Sequence, residues 1–203
     1  MRGGADGDVS GNDGGEEMTE QTLYNIWNYF LELEQDMKNT SRYIEPEGQE
    51  NVHSFEFAKL IVLSCTEVES VFKLLCSEID SSKEKGNISD YKATILGKYP
   101  KIVDATVSIS RWGKDIKPFE DWSSGKLTWW DAYGSIKHNR GANFENATYL
   151  NSVYALSALY ISILYLAKAT NIDLDSGSSQ YIYSQYTSQI LCCALDKELP
   201  DFE

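Results

Sequence analysis

The sequence predicts an all-α protein: a helical bundle of four to six helices with a small extended or β excursion near residues 102–118. Two observations support this fold class. Apolar residues recur at three-to-four-residue spacing over long stretches, which is typical of amphipathic helices. A run from Asn146 to Ala167 carries no charged residue and suits a helix buried on most faces. With 203 residues and 42% hydrophobic content, the chain can bury one sizeable core, which we place at residues 21–170.

The first twenty residues, MRGGADGDVSGNDGGEEMTE, are rich in glycine and contain six acidic residues. They have almost no apolar side chains whose burial could offset the entropy lost on ordering. We therefore predict a disordered, acidic, Gly-rich tail at residues 1–20. The net charge of the whole chain is −13, which argues against a general polyanion binder. Residues 85–140 are locally basic, with ten Lys/Arg against six acids, as expected of either a solvated face or an anion-facing patch.

Two early segments fit amphipathic helices. The first spans residue 18 to about residue 40, and a loop containing Pro46 and Gly48 follows it. The second spans His53 to about Ile79, with an apolar stripe that repeats every three to four residues. The stripe consists of Phe57, Ile61, Cys65, Val68, Phe72, Leu75 and Ile79.

A short helix and an extended segment come next. The segment SSKEKGNIS ends the second helix, and Ser89 is a candidate N-cap for a third helix that stops before Pro100. Between Val103 and Ile109, apolar and polar residues alternate, which predicts a strand or hairpin arm. Gly113 and Pro118 bound this excursion.

The stretch WWDAYGSIKHNRG predicts a fourth helix, from about Trp129 to Arg140. Thr128 is a candidate N-cap, and Asp131 three residues later suggests a capping box. Gly141 stands where a left-handed residue often ends a helix. Cations in the last turn would meet the negative end of the helix dipole.

The uncharged run at residues 146–167 is long enough to be tested as a membrane span. Interrupting Asn and Ser residues, scattered tyrosines and the lack of a second span favour a central bundle helix instead. A row of small side chains would let another helix approach closely, in the core or across a dimer. The row consists of Asn151, Ala155, Ala158 and Ser162. Residues 171–203 form a C-terminal extension that begins with a predicted loop, NIDLDSGSSQ, and continues with YIYSQYTSQILCCAL, whose pattern fits either strand or helix.

The cysteines and the short motifs limit the chemistry. Cys65 and Cys76 lie in an apolar helical pattern and are expected to be buried, whereas vicinal Cys192 and Cys193 leave a faint redox option. The cysteines have no metal-ligand spacing, and the chain has no phosphate-binding Gly loop, nucleophile elbow or HExxH motif. We therefore expect no metal and no cofactor. No apolar signal sequence precedes the predicted fold, so we expect a cytoplasmic protein.

One motif resembles a known family. Its residues are Trp129, Trp130, Tyr133, Lys137, His138 and Arg140, followed by Ala147, Tyr149 and Asn151. This pattern resembles the WWxxYNxxKHxR and ANLxN motifs of HEPN-like prokaryotic proteins, with Tyr149 in place of Leu, and the likeness covers about residues 20–170. The resemblance implies a helical bundle, often dimeric, that in active relatives cleaves RNA without a metal in bacterial defence or toxin–antitoxin systems. In those relatives a His follows an Arg by four to six residues, whereas here His138 precedes Arg140.

The candidate catalytic residues are Lys137, His138 and Arg140, together with Glu67 and Glu69 of the second helix. Metal-free RNA cleavage needs a base, an acid and a cation near the phosphate, and these residue types supply all three. Because a buried carboxylate needs a partner, we expect at least one of the two glutamates to contact the cationic turn. Such a contact would be either a structural polar network or a tuned acid–base cluster.

The tryptophans leave a similar choice, because Trp122 and Trp130 could belong to the core or offer a stacking surface to a base. The expected partners are RNA or another protein, with a homodimer and no membrane association. The alternative function is a non-catalytic interaction or scaffold module, in which the WWxxY and KHxR residues are structural.

Overall fold

The structure is a computed structural model that describes residues 18–83, 86–109, 113–172, 191–193 and 201. It confirms an all-α bundle with a small β excursion. The helices are α1 (Glu20–Thr40), α2 (Phe55–Ile79), α3 (Ile88–Lys98), α4 (Thr128–Asn139) and α5 (Tyr149–Ala169). The strands are β1 (Val107–Ile109), β2 (Lys114–Ile116) and β3 (Leu191–Cys193). The predicted tail lies outside the described residues up to position 17, as does most of the extension at 171–203.

Hydroxyl side chains cap the N-termini of three of the helices. Thr19 accepts a hydrogen bond from the Thr22 amide at the start of α1, and Ser54 accepts one from the Phe57 amide at the start of α2. The same arrangement at Thr148 begins α5. Each cap satisfies an amide that has no partner within its helix, and this fixes where the helix begins.

The predicted cap of α3 was wrong by two residues. The side chain of Asn87, not that of Ser89, accepts hydrogen bonds from the backbone amides of Ser89 and Asp90. The Asp90 carboxylate in turn accepts a hydrogen bond from the Asn87 amide at 2.9 Å. This reciprocal capping box requires an acid three residues after the cap, a spacing that Asn87 has and Ser89 lacks.

Helices α2 and α5 pack against each other through the most extensive contact between elements, and α1 and α4 pack against both of them. Ala155, Ala158 and Ser162 are fully buried, so the row of small residues on α5 is a seam of the core. By length and composition α5 could cross a membrane, but 78% of its most apolar window is buried inside the protein. In this structure it is the central helix that the uncharged run predicts.

The β excursion is shorter than the alternating pattern predicts. Residues Pro100–Asp104 form a 3-10 turn, so the strand begins only at Val107. Strand β1 lies between β2 and β3 and is antiparallel to both. Val107 is opposite Ile116 on one side and Cys193 on the other.

Both predicted ends of α4 need correction. The helix starts at Thr128 with Leu127 as its N-cap, and no side chain caps it, so the box between Thr128 and Asp131 does not form. At the other end Gly141 is not left-handed, since the glycines with positive φ in the described residues are Gly48 and Gly113. Gly141 therefore does not have the left-handed backbone conformation that would require glycine at this position.

Candidate functional site

Three helix ends meet at one end of the bundle. The loop before α2 pairs with the loop before α5 through an antiparallel bridge between His53 and Thr148. The Tyr149 amide donates to the Val52 carbonyl at 2.8 Å, and the Ser54 amide donates to the Ala147 carbonyl at 3.2 Å. This pairing holds the starts of α2 and α5 together, next to the segment that follows α4.

Asparagine side chains hold that segment in place. Asn143 donates to the Asn139 carbonyl at 2.8 Å, satisfying one of the free carbonyls at the end of α4. Asn146 donates to the Ser135 hydroxyl at 3.0 Å, and Asn151 of α5 donates to the Asn146 carbonyl at 2.9 Å. This network is not among the features predicted from the sequence, although several asparagines between two helices are a recognisable capping signal.

Lys137 is tied to its own helix. Its ammonium group donates a hydrogen bond to the Tyr133 hydroxyl at 2.9 Å and lies 5.0 Å from the centre of that ring. The Tyr133 hydroxyl is also 3.5 Å from the Thr66 hydroxyl of α2. The hydrogen bond to Tyr133 is the main cause of a raised pKa of Lys137, and the negative charge of Glu69 adds to it.

The charges of Glu67 and Glu69 raise the pKa values of different residues. The negative charge of Glu69 contributes to raised pKa values of Lys137 and Cys65, whereas that of Glu67 contributes to a raised pKa of Tyr29 on α1. Both are half-buried rather than buried, so the premise that burial forces them into charge pairs was wrong. Glu69 thus interacts electrostatically with the cationic turn, while Tyr133 provides the hydrogen bond to Lys137.

His138 and Arg140 are both exposed at the end of α4. The Arg140 guanidinium lies 5.6 Å from the centre of the Phe55 ring, in cation–π range. Within the described part of the chain, the His138 side chain makes no hydrogen bond or ion pair. The five candidate residues therefore do not converge on one acid–base cluster in a single chain.

A different cluster forms around Phe55, the first residue of α2, which is 71% exposed. The Phe55 and Phe144 rings are 4.8 Å apart, and the His53 ring meets Phe144 edge-on at 5.2 Å. We call His53, Phe55, Arg140 and Phe144 the Phe55 surface. The sequence carried one signal for it: Phe55 stands two positions before Phe57, and therefore off the apolar stripe of α2.

The tryptophans divide between core and surface. Trp129 is buried, and its indole N–H donates to the Pro118 carbonyl at 2.8 Å. Trp122 is also buried and stacks on Phe72 with ring centres 5.1 Å apart. Both residues thus belong to the core, whereas Trp130 is half-buried and lines an open groove.

Cys65 and Cys76 are poor nucleophiles. Burial raises the pKa of the Cys65 thiol well above its usual range and that of Cys76 to about 11. Cys192 and Cys193 lie on β3. Among the described residues, no group of three or more His, Cys, Asp or Glu residues could hold a metal ion.

Comparisons with family models, with curated proteins and with solved structures found no match to the chain. The resemblance to HEPN-like proteins therefore stays a prediction that rests on the motif residues around α4.

Proposed function

We propose that the protein is a HEPN-like module of the bacterial defence or toxin–antitoxin type that engages RNA as a homodimer. The supporting observation is the position of Arg140 over the exposed ring of Phe55. In one chain Lys137 is held by Tyr133, and His138 has no described partner that could assist it in catalysis. A second chain supplies the missing groups.

The Phe55 surface has the composition of an interface between two copies. Exposed aromatic residues and arginine are enriched where proteins bind each other, and they often dominate the binding energy. A two-fold interface is formed by the same patch on both subunits. Pairing through the Phe55 surface brings two copies of the α4 end, each carrying His138 and Arg140, to one cleft.

That cleft would contain the parts that metal-free RNA cleavage requires. One His138 takes the proton of a ribose 2′-hydroxyl, and the other donates a proton to the leaving oxygen. Arg140 stabilises the negative charge that develops on the phosphate. Because the chain carries a net charge of −13, we expect it to bind a short single-stranded segment locally rather than a long duplex.

Two measurements test this proposal. Sedimentation equilibrium should show a dimer for the wild type and at least a tenfold weaker dimer for Phe55→Ala, whereas Tyr29→Ala, an exposed aromatic of α1, serves as control. Incubation with single-stranded RNA and tRNA in EDTA should give cleavage that is lost in both Phe55→Ala and the double variant His138→Ala/Arg140→Ala. A wild-type protein that stays monomeric at high concentration contradicts the proposal.

The second candidate is a non-catalytic interaction module. It is favoured by the burial of Trp129 and Tyr133, which gives these two motif residues a structural role in the core. This candidate predicts a dimer that neither binds nor cleaves RNA, and a double variant at His138 and Arg140 with an unchanged melting temperature. If that double variant unfolds instead, the cationic turn is itself structural.

A further inference from the structure

An open groove of about 500 Å³ lies between the first turns of α3 and α4. Its lining includes Lys92 of α3, Lys126 of the loop before α4, and Trp130, Asp131 and Gly134 of α4. We propose that this groove binds a small aromatic anion, with a flat ring against Trp130 and a carboxylate or phosphate group between Lys92 and Lys126.

Neighbouring rings hold the Trp130 ring in a fixed orientation, which favours stacking of a ligand on it. Its ring is half-buried and is held edge-on by two neighbours, Trp129 at 5.6 Å and Tyr133 at 5.1 Å between ring centres. A ring already fixed in this way loses little conformational freedom when a ligand stacks on it. The volume of the groove also falls in the range of small-molecule sites, roughly 300–1,000 Å³.

The charge of the groove selects an anion. Within the described part of the chain, the side chains of Lys92 and Lys126 form no ion pair or hydrogen bond. Asp131 is the acidic residue of the lining and offsets one of the two lysines. The groove therefore carries a local positive charge on a chain whose net charge is −13, and this contrast favours small anions at this position.

Gly134 keeps the groove open next to α4. A glycine inside a helix costs about 1 kcal/mol relative to alanine, and Gly134 lies within α4. Its φ is not positive, and a Cβ atom added there would meet nothing within 4 Å. Neither the backbone nor the packing requires glycine at this position, but a side chain there would project into the groove.

The proposal is tested by titrating the full chain with indole-3-acetate, an aromatic carboxylate, and adenosine 5′-monophosphate, an aromatic phosphate. Binding is followed by calorimetry and by the indole N–H signal of Trp130 in NMR spectra, assigned with Trp130→Phe. We expect saturable binding of at least one anion, and which one binds identifies the anionic group. Indole, adenosine, acetate and inorganic phosphate, which each lack the charge or the ring, should bind at least tenfold more weakly.

Gly134→Leu is the decisive variant, because it fills the groove while improving the helix propensity of α4. It should lose at least tenfold in affinity with an equal or higher melting temperature. Gly97→Leu is the matched control, since Gly97 lies in α3 outside the groove and also has open space around its Cβ position. Its affinity should equal that of the wild type.

The lysines provide a second test that does not alter the shape of the groove. Lys92→Met and Lys126→Met keep the apolar stems and remove the charges, and each should weaken binding at least about fivefold. The proposal is overturned if neither anion shifts the Trp130 signal at millimolar concentration. It is equally overturned if Gly134→Leu binds like the wild type, or if the uncharged rings bind as well as the anions.

Discussion

The ammonium group of Lys137 donates a hydrogen bond to the Tyr133 hydroxyl one helical turn earlier, and that hydroxyl lies 3.5 Å from the Thr66 hydroxyl of α2. The three side chains form a polar connection between α4 and α2. Tyr133 therefore has two roles: its ring is buried in the core, and its hydroxyl holds the first cation of the candidate site.

Tyr133→Phe should lower the pKa of Lys137, because the hydrogen bond to Tyr133 is the largest cause of its increase. The pKa can be read from carbon-13 NMR of reductively methylated lysines, with Lys137→Arg to assign the signal. A raised pKa means that the folded state holds this proton more tightly than the unfolded state does. The resulting stabilisation is complete below the ordinary lysine pKa of 10.5 and is lost as the pH rises through the folded value.

Glu69→Gln should also lower the pKa of Lys137, by less than Tyr133→Phe does, since the charge of Glu69 is a smaller contribution. Glu67→Gln is the matched control and should leave Lys137 unchanged while lowering the pKa of Tyr29. The same methyl-lysine titration measures the Lys137 signal in both variants. Equal effects of the two substitutions on Lys137 would show that the two glutamates face the same neighbour.

Gly141→Ala should be neutral or stabilise the protein by about 0.4–1 kcal/mol, because a non-left-handed backbone accepts alanine and the unfolded chain becomes stiffer. Gly48→Ala should destabilise it by about 1–2 kcal/mol, since Gly48 has a φ of +80°. Urea unfolding monitored by circular dichroism compares the two variants. A clear loss of stability in Gly141→Ala would restore the left-handed helix end that the sequence predicts.

Cys65 and Cys76 should resist iodoacetamide at pH 8 in the folded protein and react in urea, because burial raises the pKa of both thiols. Peptide mass spectrometry reports labelling at each site. For Cys76, the folded pKa of about 11 exceeds the ordinary value of 9.0, so stability should fall as the pH rises between these values. Rapid labelling of native Cys76 would contradict its burial.

The sequence predicts what depends on local periodicity and little of what depends on contacts between distant segments. The apolar stripes of α1 and α2 and the uncharged run of α5 gave the right helices, because burial of one continuous face determines them. Helix ends were less predictable, since Asn87 and Ser89 are both good caps and only the carboxylate of Asp90 decides between them.

In the candidate site, too, the sequence predicts what is local and not the contacts between distant segments. The sequence brings Lys137, His138 and Arg140 together because they are neighbours in the chain, but it does not show where each side chain points. Phe55 meets Arg140 and Phe144 only because the loops before α2 and α5 pair, and that pairing joins segments about ninety residues apart. No periodic pattern encodes such a contact.

Because of the order of synthesis, the small sheet is incomplete until β3 has been made. Strand β1 is the middle strand, and its hairpin partner β2 leaves the ribosome soon after it, but β3 emerges only after α4 and α5. During that interval one edge of β1 has unpaired amides and carbonyls, which can recruit a strand from another nascent chain. Truncation before residue 191 would make this exposure permanent, and we expect such fragments to aggregate.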